Sequence, residues 1–154
     1  MSRRRGLALL AALGVQLALL AVVAAPRLAV RVTGAEYRLA TEPVDPIDPL
    51  RGAYVDLRLR GLPRYTQRRG TVFVALKPAA GGLLRGSGTL ARAPSEGPYL
   101  RCDAHDGADV SCGIESFFAS QDDARRLAAR GARRPLVARV KVGLGGRAVL
   151  VGLE

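Results

Sequence analysis

The sequence predicts an α+β or mainly β domain, mostly antiparallel with one short helix, carried behind a single N-terminal transmembrane helix. Three observations predict it. Leu7 to Ala25 is an uncharged apolar run. Several later segments alternate apolar and polar residues with the period of two that a half-buried strand requires. One segment near the C-terminus carries acids at its start and arginines at its end, the charge order of a helix. The expected division is residues 1–26 as cytoplasmic stub and anchor and 27–154 as an exported β-rich domain, room for one modest core.

The anchor follows from length and flanks. These nineteen residues, of which Gln16 alone is strongly polar, span about 28 Å at a helical rise, close to a hydrocarbon core of roughly 30 Å. Arg3, Arg4 and Arg5 precede the run, and Pro26, Arg27 and Arg31 follow it. Pro26 is expected to end the helix, because it lacks the N–H that a helix interior needs. Basic residues before a first span favour a cytoplasmic N-terminus. The expectation is a single-pass protein of the inner (plasma) membrane, contacting the bilayer through residues 7–25, with its C-terminal domain outside the cytoplasm. A cleaved signal peptide, ending at Ala24 or Ala25, is the alternative. The run is longer than an ordinary signal core, and Pro26 would follow Ala25 directly.

Residues 27–49 read as an extended lead-in, with Val30-Arg31-Val32 and Glu36 to Leu39 as a first strand. The prolines of Asp45-Pro46-Ile47-Asp48-Pro49 exclude a helix there. Val55, Leu57 and Leu59 then share one face against Tyr54, Asp56, Arg58 and Arg60, until Gly61-Leu62-Pro63 stops the strand. Thr71 to Leu76 repeats the pattern through Val72, Val74 and Leu76. Lys77-Pro78 ends it, and Gly81-Gly82 forms a loop. Ser87 to Ala93 and Tyr99 to Asp103 are further strands, separated by Pro94 and Gly97-Pro98. Val110 to Ala119 starts as a strand and carries Phe117-Phe118. Ser120 is a natural N-cap, followed by Asp122 and Asp123 in the first turn and by Arg130, Arg133 and Arg134 near the end. Ala124, Leu127 and Ala128 make its apolar stripe, and Pro135 terminates it. Leu136, Ala138, Val140 and Val142 share a face of the next strand. Gly143 to Gly146 turns, and Arg147 to Leu153 returns.

Cys102 and Cys112 flank a segment holding the turn pair Asp106-Gly107. A loop at 106–108 places the two cysteines opposite each other across a hairpin. A disulfide there would contribute about 2–3 kcal/mol in the chain-entropy account and would fit an oxidising compartment. Two buried thiols are the alternative.

The formal charge of +11 comes from 22 Arg and 2 Lys against 13 acids, scattered over several segments. The sequence holds no helix-turn-helix signal, zinc knuckle or aromatic-plus-basic platform, so nucleic acid is not an expected partner. A loose attraction to anionic lipid head groups beside the anchor is. No phosphate-binding loop and no CxxC occurs, and no cofactor is expected. His105, with Asp103, Asp106 and Asp109 around it, carries oxygen ligands suited to calcium or magnesium, but their spacing matches no EF-hand loop and Asp is ordinary in turns. A Ser–Lys dyad would need Lys77 or Lys141 beside Ser87 or Ser116, and no nucleophile motif frames either serine.

The stretch Val44-Asp45-Pro46-Ile47-Asp48-Pro49-Leu50-Arg51-Gly52-Ala53-Tyr54-Val55-Asp56-Leu57-Arg58-Leu59 resembles the signature of the GDYXXLXY family, bacterial proteins with an N-terminal membrane helix and a small exported domain. Cys112-Gly113-Ile114-Glu115-Ser116-Phe117-Phe118 resembles the family's tyrosine-glycine-isoleucine-glutamate-x-tyrosine-phenylalanine block, and a terminal strand around Gly146-Arg147-Ala148 also fits. The resemblance covers nearly the whole chain. Ala53 stands where the motif has Asp, and Leu59 where it has its final Tyr. If that Asp performs chemistry in relatives, this chain lacks it; if it caps a turn, nothing catalytic follows. The resemblance implies a membrane-anchored accessory protein acting with another membrane or envelope protein, such as a multi-span one, more than it implies a reaction.

The candidate interaction residues are therefore Arg51, Gly52, Tyr54, Leu57, Gly113, Glu115 and Phe118, with no catalytic or metal-binding residue assigned. Glu115, between Ile114 and Phe117-Phe118, needs a partner such as a neighbouring-strand Arg if its strand position buries it. Two alternatives to the accessory reading stand: a membrane-bound Ser–Lys peptidase, and an envelope ligand-sensing module built on Glu115 and an Arg-lined pocket.

Overall fold

The computed structural model describes residues 3–42, 54–63, 66–104, 110–131 and 133–154, with only the backbone for residues 3–5, 8, 54–56 and 128. The structure is α+β: a long apolar helix followed by a curled, mixed sheet and one short helix.

Helix α1 runs from Arg3 to Thr33, so Pro26 does not end it and Val30-Arg31-Val32 is helical rather than extended. Tertiary docking explains the difference. An interior proline costs a helix about 3 kcal/mol, and the last turns of α1 are held by the domain. Val30 is buried and fills the space beside Gly143. Lys141 Nζ donates to the Arg31 carbonyl at 2.8 Å, a cation at the negative helix end. Gly34 closes the helix, its N–H donating to the Val30 carbonyl at 2.9 Å. Leu9 to Thr33 is long and apolar enough to cross a membrane, and none of its most apolar window is buried against protein.

The strands are β1 (Ala35–Glu42), β2 (Tyr54–Asp56), β3 (Arg58–Leu59), β4 (Gly70–Pro78), β5 (Leu84–Leu90), β6 (Tyr99–Ala104), β7 (Val110–Ser111), β8 (Ser116–Phe118), β9 (Val137–Val142) and β10 (Ala148–Leu153), with helix α2 (Gln121–Gly131) between β8 and β9. The main sheet has the order β10-β9-β1-β5-β4-β6-β7, and β3 also pairs with β1. Every pairing is antiparallel except β1 with β5. The sheet curls until the β9–β10 turn meets β6. Gly146, at φ +77°, lies so close to Tyr99 that a Cβ would stand 2.6 Å from its ring carbons, so only glycine fits.

The alternations in β4 and β9 behave as the period of two requires. Val72, Val74, Leu76, Ala138, Val140 and Val142 turn inward and form the main core with Leu39, Leu100 and Ile114. The segment 84–90 is the strand rather than Ser87 to Ala93. Helix α2 forms where the charges place it. The Ser120 hydroxyl accepts from the Asp123 N–H at 3.2 Å and donates to its carboxylate at 2.7 Å. That hydroxyl, and then Arg126, hold the Asp123 carboxyl below its ordinary value. Ala124 and Leu127 face a second core with Leu57 and Leu136.

Two expected strands are broken. Val55 to Leu59 does not run as one strand. β2 pairs with β8, whereas β3 pairs with β1, so Leu57 and Leu59 enter different cores. Val110 to Ala119 is likewise divided into β7 and β8 by a turn at 112–115. The proline-rich stretch 45–49 lies outside the described residues.

Candidate functional site

Two segments sixty residues apart in the sequence meet as a two-stranded antiparallel ribbon. Tyr54 stands opposite Phe118, Val55 opposite Phe117 and Asp56 opposite Ser116. The Leu57 N–H extends the pairing by donating to the Glu115 carbonyl at 2.6 Å. Leu57, only 3% exposed, then plugs the second core beneath α2.

The turn that feeds this ribbon gives each residue of the second block a physical task. Cys112 is bonded to Cys102 and lies in the main core. The register Asp103 with Ser111 and Ala104 with Val110 brings the two cysteines opposite each other, as a hairpin requires; the loop at 106–108 itself lies outside the described residues. Gly113 adopts φ +75° in open space, a left-handed position that glycine occupies without strain. Ile114 is fully buried. Glu115 turns its carboxylate back along the chain. Oε1 accepts the Cys112 N–H in a short bond, and Oε2 accepts the Ser111 hydroxyl at 3.4 Å. Glu115 is therefore a clamp on its own turn, not the strand residue paired with an Arg that the apolar neighbours suggested. A carboxylate satisfies two donors of a tight turn at once, so the local backbone supplies what a distant guanidinium would have supplied.

Phe118 projects from the ribbon with 80% of its surface exposed. An open groove of about 450 Å³ runs beside it, lined by Phe117, Phe118, Leu127 and Leu153 and by Arg126 and Arg130 of α2. Arg51 and Gly52 lie outside the described residues, and of Tyr54 the backbone alone is described.

A protein-family model described as GDYXXLXY protein matches residues 16–153. The chain belongs to the GDYXXLXY family. No curated protein and no solved structure matches it. Tyr54–Asp56 of the first family block and Ser116–Phe118 of the second, remote in sequence, are thus the two strands of one ribbon, and residues 112–115 are the turn that leads into it. In this member of the GDYXXLXY family the motif leucine, Leu57, is a core residue, and Glu115 holds backbone.

Neither Lys77 nor Lys141 is hydrogen-bonded to a serine hydroxyl among the described residues. Lys141 is engaged by the Arg31 carbonyl, Lys77 faces Arg85 across β4 and β5, Ser87 faces Ala75, and Ser116 faces Asp56. His105, Asp106 and Asp109 lie outside the described residues, and among the described residues no group of three or more His, Cys, Asp or Glu could hold a metal. One structural residue escaped sequence reasoning. Thr41 is buried, and its hydroxyl donates a short hydrogen bond to the Leu136 carbonyl, tying β1 to the approach of β9. Its place in a strand of mixed polarity gave no signal.

Proposed function

We propose that the chain is a membrane-tethered accessory protein whose domain lies outside the cytoplasm and docks another membrane or envelope protein through the ribbon of Tyr54–Asp56 and Ser116–Phe118. The observation that carries this reading is the pairing of Tyr54–Asp56 with Ser116–Phe118, one segment from each family block, into a ribbon that presents Phe118 beside a groove. Within those blocks Glu115, Gly113 and Leu57 serve backbone geometry and packing, which leaves the presented aromatic surface as the feature they jointly build. An exposed aromatic flanked by arginines is the composition of a protein-binding hot spot.

Three features support the tether and its side. The leucine and valine side chains of α1 are more than half exposed from Leu7 to Val23, an apolar surface that lipid would cover. Arg3, Arg4 and Arg5 precede the span, as the positive-inside rule asks of a cytoplasmic N-terminus. The Cys102–Cys112 disulfide suits an oxidising compartment. The test is affinity capture of the full-length chain from detergent-solubilised native membranes, beside Phe118→Asp. The wild type should retain a specific integral membrane protein that the variant loses; recovery of both chains alone, under conditions that keep known complexes intact, contradicts the reading.

A further inference from the structure

A second crevice, of about 340 Å³, opens where α1 passes the sheet, and it differs in character from the groove beside Phe118. Val23, Pro26 and Val30 of α1 line it on the helix side. Three guanidinium-bearing residues from separate segments meet there: Arg27 on α1, Arg101 on β6 and Arg147 immediately before β10. Asp103 is the one carboxylate among the lining residues. It accepts from the Thr71 hydroxyl at 3.3 Å, and Arg101 donates to the same hydroxyl at 3.4 Å.

The contrast with other surface arginines is what makes this cluster informative. Arg38, Arg126 and Arg139 each bond a carboxylate. Arg27, Arg101 and Arg147 make no ion pair among the described residues, although like charges brought together repel. Their position supplies the missing partner. The apolar run of α1 ends at Ala25, so Val23 lies at the edge of the hydrocarbon and Arg27 at head-group height when the helix spans a bilayer. A crevice with an apolar wall below and guanidiniums without an ion-pair partner above matches a phosphate ester attached to acyl chains.

From this geometry we infer that the crevice binds the phosphate of an anionic membrane phospholipid, seating the domain against the outer face of the bilayer in a fixed orientation. The inference rests on the reading of α1 as a membrane span. It concerns a surface separate from the ribbon, so either can fail alone.

The test uses the full-length chain and Arg101→Gln/Arg147→Gln, both substitutions at exposed residues. Each is reconstituted into phosphatidylcholine vesicles containing a minor fraction of phosphatidylglycerol, then extracted gently for native mass spectrometry of the retained lipid. The wild type should carry phosphatidylglycerol enriched about five- to twentyfold over the vesicle composition. The variant should carry it near the bulk ratio, with an unchanged unfolding midpoint. A wild type without enrichment, or a variant with undiminished enrichment, overturns the inference while leaving the span intact. Removal of the chain from vesicles by alkaline carbonate overturns the span, and the lipid site with it. Inorganic phosphate that displaces the retained lipid and by itself raises the unfolding midpoint of the detergent-solubilised wild type assigns the crevice to free phosphate and overturns the lipid assignment.

Discussion

The Glu115 carboxylate accepts a hydrogen bond from the backbone N–H of Cys112, three residues earlier, while the Glu115 carbonyl accepts from Leu57. One residue thus closes the turn after the disulfide and fixes the register between the two family blocks.

Removing that carboxylate should loosen both. Glu115→Ala is expected to lower the stability of the full-length chain by about 1–3 kcal/mol, since a backbone donor loses a charged acceptor. Glu115→Gln keeps an acceptor and should lose less. Urea unfolding in detergent checks the order. Equal stability of all three proteins would remove the clamp from the account.

Leu57 and Phe118 belong to different family blocks and do different work, so their substitutions should separate. Leu57→Ala opens a cavity in the second core and should cost about 2–5 kcal/mol. Phe118→Ala, at an exposed position, should cost less than about 1 kcal/mol. Thermal unfolding followed by circular dichroism reads both; a Phe118 loss as large as that of Leu57 would place its ring in the core.

The parts of this structure that were legible in the sequence are those fixed by local periodicity. The alternations through Val72 to Leu76 and Leu136 to Val142 became inward faces because a strand has only two, and the Ser120 cap with its following acids began a helix as local hydrogen bonding dictates. The departures arise where contacts between distant segments decide. Pro26 should end an isolated helix, yet Val30 against Gly143 and Lys141 on the Arg31 carbonyl hold the next two turns. Leu57 and Leu59 share a face of an ideal strand, but the chain crosses from one sheet to the other between them, a step no alternation encodes. Glu115 looked like a strand residue because Ile114 and Phe117 flank it; Gly113 was the available signal that the backbone turns there. The meeting of Arg27, Arg101 and Arg147 depends on the curl of the whole sheet and leaves no trace in spacing.

The disulfide should matter to stability and report the compartment. Replacing Cys102 and Cys112 together by Ala should cost about 2–3 kcal/mol from the freed ten-residue separation, more if the buried site collapses poorly. Non-reducing gels of protein taken from intact cells with an alkylating quench should show both sulfurs blocked. Free thiols in freshly quenched cells would contradict an oxidising location.

The Glu36–Arg139 pair sets a pH dependence. Arg139 bonds Glu36 at 2.7 Å and, by that hydrogen bond and its charge, holds the Glu36 carboxyl below its ordinary value of 4.5. A carboxyl depressed in the folded state stabilises the fold above its unfolded value and ceases to do so as pH falls through the folded one. The gap in unfolding midpoint between wild type and Glu36→Gln should therefore be widest near neutral pH and shrink as the pH falls through and below the ordinary carboxylate range. A gap that is constant over this range would show that the pair adds no pH-linked stability.

Site-specific photo-crosslinking in native membranes addresses the docking ribbon most directly. A photoreactive residue placed at position 118 should yield a discrete adduct with one integral membrane protein, whereas the same residue at position 95, in the exposed turn between β5 and β6, should not. If position 118 gives no adduct, or only the same diffuse products as position 95, the ribbon is not where this protein meets its partner.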